Sequence, residues 1–107
     1  ENFRFGISSR ATRLMHMALP LKKSEVLCFY DLQYRWAKRS TDRGVEIKIE
    51  LNEFPDGQMI IAQCPRVFRP DMVEDIIEYG RDNGWTPERT GDPITVRLTK
   101  RGITPVV

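Results

Sequence analysis

A chain of 107 residues with 17 Lys and Arg against 15 Asp and Glu is one domain's worth of sequence, long enough to stand on its core without disulfides or metals. Its 40 % hydrophobic and 30 % charged content is that of a globular protein, no apolar run approaches the ~18 residues that cross a membrane, and no apolar leader points to export. Cys28 and Cys64 lie in the apolar runs EVLCFY and MIIAQC without a Cys-x-x-Cys partner, and a single His leaves no zinc set, so a reducing, cytoplasmic setting with no metal and no cofactor is expected.

The charge is unevenly distributed. Residues 1–43 carry nine Lys or Arg against four Asp or Glu, and residues 44–107 carry eight against eleven. Such a split marks solvated faces, a surface for an acidic partner, or self-association between unlike faces.

From the N-terminus, Phe3, Phe5 and Ile7 alternate like a short strand, and Ala11, Leu14, Met15 and Ala18 fit a helical stripe ending at Pro20. Residues 1–16 have a second reading, as an appended tag or disordered arm with His16-Met17 at the junction. Behind Ser24 as a cap, Val26, Phe29, Tyr30, Gln33, Trp36 and Ala37 recur at helical spacing, which predicts a helix over residues 24–38. A strand over Val26–Tyr30 is the rival, because short apolar runs fit both periods.

The stretch VEIKIELNEFPDGQMIIAQC reads as a hairpin. Val45, Ile47, Ile49 and Leu51 alternate with Glu46, Lys48 and Glu50, the period of a half-buried strand. Pro55-Asp56-Gly57 supplies turn chemistry, with Gly57 expected in the left-handed position, and Met59 to Cys64 returns as a more central strand.

Arg69-Pro70-Asp71 signals a helix start, with Asp71 as cap and Glu74 completing a capping box. Val73, Ile76, Ile77 and Gly80 form its apolar stripe and Asp71, Asp75, Glu78 and Asp82 its acidic face, giving a helix over 71–83. Asn83-Gly84 ends it, with Gly84 left-handed, so that Trp85 folds back over the last turn against Tyr79 and Gly80. A third strand at Ile94, Val96 and Leu98 pairs with the hairpin. The sum is a single α+β domain over residues 1–107: a small antiparallel sheet of hairpin 45–64 and strand 94–98, packed by helix 71–83, with a further helix around 24–38.

The run IIEYGRDNGW-T-P, a short helix entering Gly-Trp-x-Pro and then a strand, resembles a family of small bacterial α+β proteins over roughly residues 45–98. That resemblance implies the fold and no activity.

Catalytic chemistry is poorly represented. The sole His, His16, gives no secure base for a nucleophilic pair, and neither GxxxxGK[ST] nor GxGxxG occurs. The acidic stripe of the helix reads as a solvated face. Three binding readings remain. Phe29, Tyr30, Tyr34, Trp36 and Phe54 are interface candidates, since aromatics concentrate at interface cores. Arg35, Lys38, Arg39 and Arg43 are candidates for phosphate contacts with nucleic acid. Tyr79 and Trp85 are candidates to line a small-ligand pocket between helix and sheet. The leading expectation is a non-catalytic binding and assembly module whose partner is another protein, above all a second copy in a homodimer; no membrane partner is expected.

Overall fold

The computed structural model describes residues 24–106; the expected short strand at residues 3–7, the helical stripe at 11–18 and the tag reading of 1–16 lie outside them. The elements follow as β1 (Glu25–Phe29), β2 (Leu32–Thr41), β3 (Gly44–Leu51), β4 (Ile60–Cys64), α1 (Asp71–Asp82), β5 (Ile94–Thr99) and β6 (Gly102–Pro105). They form one six-stranded mixed sheet in sequential order β1-β2-β3-β4-β5-β6, with the helix on one face.

The helix expected over 24–38 is not there; that segment is a β-hairpin. Tyr30 and Asp31 both take positive φ, 51° and 66°, and Phe29 pairs with Leu32 around them. Two consecutive left-handed residues form the tight turn that suits the twist of a hairpin, and Asp is among the side chains that tolerate it. The apparent helical stripe is broken by strand alternation: Tyr34 and Trp36 enter the core while Gln33, Arg35 and Ala37 face away. A 3.6-residue and a two-residue period share several positions in so short a run, and the turn decides between them.

The sheet is also not wholly antiparallel. β3 and β4 pair antiparallel as expected, from Val45–Cys64 to Ile49–Ile60, but β5 lies parallel to β4, from Ile60–Ile94 to Gln63–Arg97. The chain leaves the end of β4, runs back along α1 and enters β5 from the same end as β4, so the crossover demands the parallel pairing. A sixth strand, β6, not expected from the sequence, pairs antiparallel with β5 from Val96–Pro105 to Thr99–Gly102.

Strand alternation builds the core. Val45, Ile47, Ile49 and Leu51 of β3, with Ile60, Ala62 and Cys64 of β4 and Val96 of β5, face Val73, Ile76 and Ile77 of α1. The opposite face presents cross-strand polar rows. In one of them Arg39, Glu46, Gln63 and Arg97 stand side by side; Arg39 Nε donates to Glu46 at 3.1 Å and Arg97 Nε to Gln63 at 3.2 Å.

The helix starts differently from expectation. Pro70 occupies the cap position with no side-chain hydrogen bond, and the N–H groups of Met72 and Val73 donate to the carbonyls of Arg69 and Pro70. Backbone carbonyls thus take the donors that an Asp71 side chain was expected to take, and Asp71 pairs with Arg69 instead. The end is as anticipated. Gly84 has φ 98°, the Asn83 and Trp85 amides both donate to the Gly80 carbonyl at 3.1 and 2.8 Å, and the chain reverses in a Schellman-type stop. Trp85 is 1 % exposed, and its indole N–H donates to the Gln58 carbonyl at 2.9 Å.

Gly57 also departs from expectation, since its φ is not positive; it is required by space. A Cβ there would overlap the Pro87 carbonyl oxygen, because the β3–β4 loop presses against the loop after α1. The same crowding holds at Gly80, where a Cβ would come within 2.8 Å of both Trp85 Cε3 and Ile60 Cδ1. Gly84 faces open space, and only its φ constrains it. Two substitutions therefore separate the causes. Gly84→Ala should cost about 1 kcal/mol through backbone strain, and Gly80→Ala about 1–3 kcal/mol through overpacking against Trp85. Urea denaturation checks both, and an unchanged midpoint for either would place the helix end elsewhere.

Candidate functional site

Because β4 and β5 run parallel and every other neighbouring pair is antiparallel, the loops sort onto two opposite ends of the sheet. One end carries the β1–β2 turn, the β3–β4 loop and the connection from α1 to β5. The other carries the β2–β3 turn, the connection from β4 to α1 and the β5–β6 turn. Each end holds a cleft.

At the first end a groove of about 420 Å³ runs between the β1–β2 hairpin and the last turns of α1, lined by Phe29, Tyr30, Leu32, Glu78, Asp82 and Glu88, with Tyr34 and Arg81 at its base. Arg81 organises it. Its Nε and one terminal nitrogen donate to the Tyr34 hydroxyl at 3.1 and 2.9 Å, and the guanidinium bonds to Glu88. Its carbon lies 5.7 Å from both the Tyr34 and Trp85 ring centroids, within reach of a cation–π attraction. Burial works against the Arg81 charge, but the hydrogen bonds to Glu88 and Tyr34 outweigh it and raise its pKa. The Glu88 carboxyl is correspondingly held below its ordinary value by the bond from Arg81. Arg81 thus ties hairpin, helix and the following loop together. Tyr30 projects from the rim, 82 % exposed, with its ring edge-on to Phe29 at 4.6 Å between centroids.

At the second end a cleft of about 540 Å³ is bounded by Thr41 to Arg43, Glu46, Gln63, Pro65 and Arg97. The two hairpin turns here share one pattern, Thr41-Asp42-Arg43-Gly44 and Thr99-Lys100-Arg101-Gly102, each closed by a Thr–Gly pair with the Gly at positive φ. The repeated T-x-R-G places Arg43 and Arg101 at equivalent positions. Arg66 donates to the Asp42 carbonyl at 3.2 Å, holding the β4–α1 connection against the β2–β3 turn. Cys64 borders the cleft but is buried, and burial pushes its thiol up to about 11, which removes thiolate character at neutral pH. Among the described residues no three His, Cys, Asp or Glu side chains converge as a metal set, and no helix is long and apolar enough to cross a membrane.

The structure separates the interface candidates. Tyr34 is 2 % exposed and Trp36 is buried against Phe68 with centroids 5.9 Å apart, so both belong to the core. Phe29 and Phe54 are half-buried and pack against the core, and Tyr30 alone stands free. The phosphate-contact candidates also divide. Arg35 stands across from the buried Glu50 and donates to Asn52 and Ser24. Arg39 is paired with Glu46. Lys38 is exposed on the helix side of β2, and Arg43 sits in the β2–β3 turn. Of the pocket candidates, Trp85 is enclosed and Tyr79 is half-buried against the core. The reading from sequence missed Arg66, Lys100 and Arg101, which the fold brings to the same end as Arg43; the repeated T-x-R-G was the visible signal.

Comparison of the chain with known protein families, curated proteins and solved structures finds no match. The functional reading therefore stands on the chain's own geometry.

The Arg81–Glu88 pair has a pH signature. Glu88 has a lowered folded-state pKa, so its contribution is present above the ordinary carboxylate value near 4.5 and is lost as pH falls through the lowered one. The pair is partly solvated, which keeps the effect modest. Glu88→Gln should flatten the acid limb of the stability–pH curve below about pH 4.5 and leave its shape at pH 7–8 unchanged; chemical denaturation across that range reads it, and an identical acid limb would show that the pair does not form in solution.

Proposed function

We propose that this chain is a non-catalytic binding and assembly module that associates with a second copy of itself through the β1–β2 hairpin. The observation that carries the reading is the placement of the exposed apolar side chains. Val26, Tyr30 and Leu32, three of the four large hydrophobics exposed among the described residues, lie on this one hairpin. Single exposed apolar residues are ordinary, but Tyr30 and Leu32 adjoin at the hairpin tip beside the groove on the helix side, while Val26, across from Arg35, faces the other side, so the tip is the part that offers a contact surface. Among the described residues β1 is also the edge strand of the sheet, and an edge is a place where another chain can add its backbone. Tyr30 fits the role of an anchor, with large area, few rotatable bonds and a polar tip.

The dimer is the smallest assembly this surface supports. Tyr30→Asp tests it cleanly, because the new side chain tolerates the positive φ at that position and removes the apolar ring. Native mass spectrometry of wild type should give species of two or more copies, and Tyr30→Asp should give a folded monomer. Tyr34→Asp, by contrast, should unfold the domain, because Tyr34 is core. A Tyr30→Asp protein that dimerises like wild type, or a wild type that stays monomeric at tens of micromolar, would contradict the reading.

A further inference from the structure

We propose that the two ends of the domain are each other's binding partners: the hairpin end of one copy docks onto the opposite end of the next, head to tail. The inference rests on the self-association reading above and supplies its geometry.

The sorting of the loops produces the complementarity. At the hairpin end, loops 30–31, 52–59 and 83–93 carry Asp31, Glu53, Asp56, Glu88 and Asp92 against Arg89 alone. At the other end, loops 42–43, 65–70 and 100–101 carry Arg43, Arg66, Arg69, Lys100 and Arg101 against Asp42 alone. The loop charge is thus −4 at one end and +4 at the other. Counting the helix ends keeps both signs: the last turn of α1 adds Asp82 beside Arg81 at the acidic end, and its first turn brings Asp71, paired with Arg69, and Glu74 to the basic end, which lowers that end from +4 to +2. Each end also offers an exposed apolar side chain to the other: Tyr30 at the acidic end, and Val67, 76 % exposed, between Arg66 and Arg69 at the basic end.

Distance keeps the two charges separate. The eight residues of β3 span about 25 Å, several times the Debye length of about 8 Å at physiological ionic strength. A partner therefore meets each end with its own sign. Two copies meeting through like ends would oppose charges of one sign, whereas unlike ends attract and steer the encounter. An arginine of the basic end can also stack on the Tyr30 ring. Such a contact is heterologous, so it does not close at two copies but continues into rings or chains.

A polyanion such as single-stranded nucleic acid is the rival occupant of the basic end. It is less favoured because base binding calls for exposed aromatic platforms. The aromatic in the loops of that end, Phe68, is half-buried and packed on Trp36.

The test uses two variants of the full chain. Glu53→Lys with Asp92→Lys raises the acidic-end loop charge from −4 to zero, and Lys100→Glu with Arg101→Glu lowers the basic-end loop charge from +4 to zero. All four side chains belong to exposed residues, and circular dichroism confirms that each variant folds. Sedimentation velocity of wild type at ~50 mM salt should show association that weakens on the order of tenfold by ~300 mM. Each variant alone should be monomeric. An equimolar mixture should form a one-to-one complex and nothing larger, because each variant brings one charged end.

If wild type associates and both variants associate equally well, the head-to-tail geometry is overturned while self-association stands. The same holds if the mixture fails to recover. If wild type is monomeric at every salt concentration, self-association itself fails, and salt-dependent binding of a single-stranded oligonucleotide by that monomer would give the basic end to nucleic acid instead.

Discussion

One indole fills the space that helix, sheet and two loops would otherwise leave between them. Trp85 lies in the notch made by Gly80, donates its N–H to the Gln58 carbonyl, and has its ring centroid 5.8 Å from that of Tyr34. It reaches that position only because Gly84 turns the chain at positive φ and lets the Trp85 amide bond back to Gly80. Removing such a side chain forfeits about 3–5 kcal/mol, a large share of the ~5–15 kcal/mol by which a domain is stable at all. The loop after the helix is pinned by the same contact, since Gly57 must lack a side chain where Pro87 crosses it and Gln58 accepts from the Thr86 amide.

From that pinned loop the topology follows. The chain after Trp85 emerges at the end where β4 begins, so β5 enters the sheet parallel to β4 and β6 returns antiparallel. The crossover collects three loops at each end of the sheet. Residues remote in sequence thereby become neighbours: Arg43, Arg66 and Arg101 at one end, Asp31, Glu53 and Asp92 at the other. An antiparallel entry of β5, which a simple meander would have given, would have sent the loops after the helix to the opposite ends and mixed the two signs. The charge polarity of the domain is thus a consequence of the helix crossover.

How much of this was legible from the sequence depended on whether the deciding contact was local. The β3–β4 hairpin and the helix stop were readable because alternation, a Pro-Asp-Gly turn and an Asn-Gly-Trp stop are short-range signals. The β1–β2 hairpin was misread, since Tyr30-Asp31 is not a common hairpin dipeptide and its left-handed pair holds only with Phe29 and Leu32 paired across it. The Gly57 requirement was assigned to φ because the sequence says nothing of a loop 30 residues away in the chain, Pro87. The site was less legible than the fold. Tyr34 and Trp36 looked like an interface because aromatic content does not reveal which side of a strand is covered, and Arg35 looked free because Asn52 and Ser24 are its partners only in the sheet. Tyr30 was singled out from the sequence and does stand exposed.

The dependence of the fold on Trp85 is read most directly from hydrogen exchange by NMR at the Trp85 indole N–H and backbone amide. Both should exchange only through global unfolding, with protection equal to that of the Ile47 and Ile49 amides in the central strand β3. Exchange of the indole at rates typical of a surface group, while β3 stays protected, would mean that the helix end and its loop open independently of the sheet, and that Trp85 does not hold the architecture together.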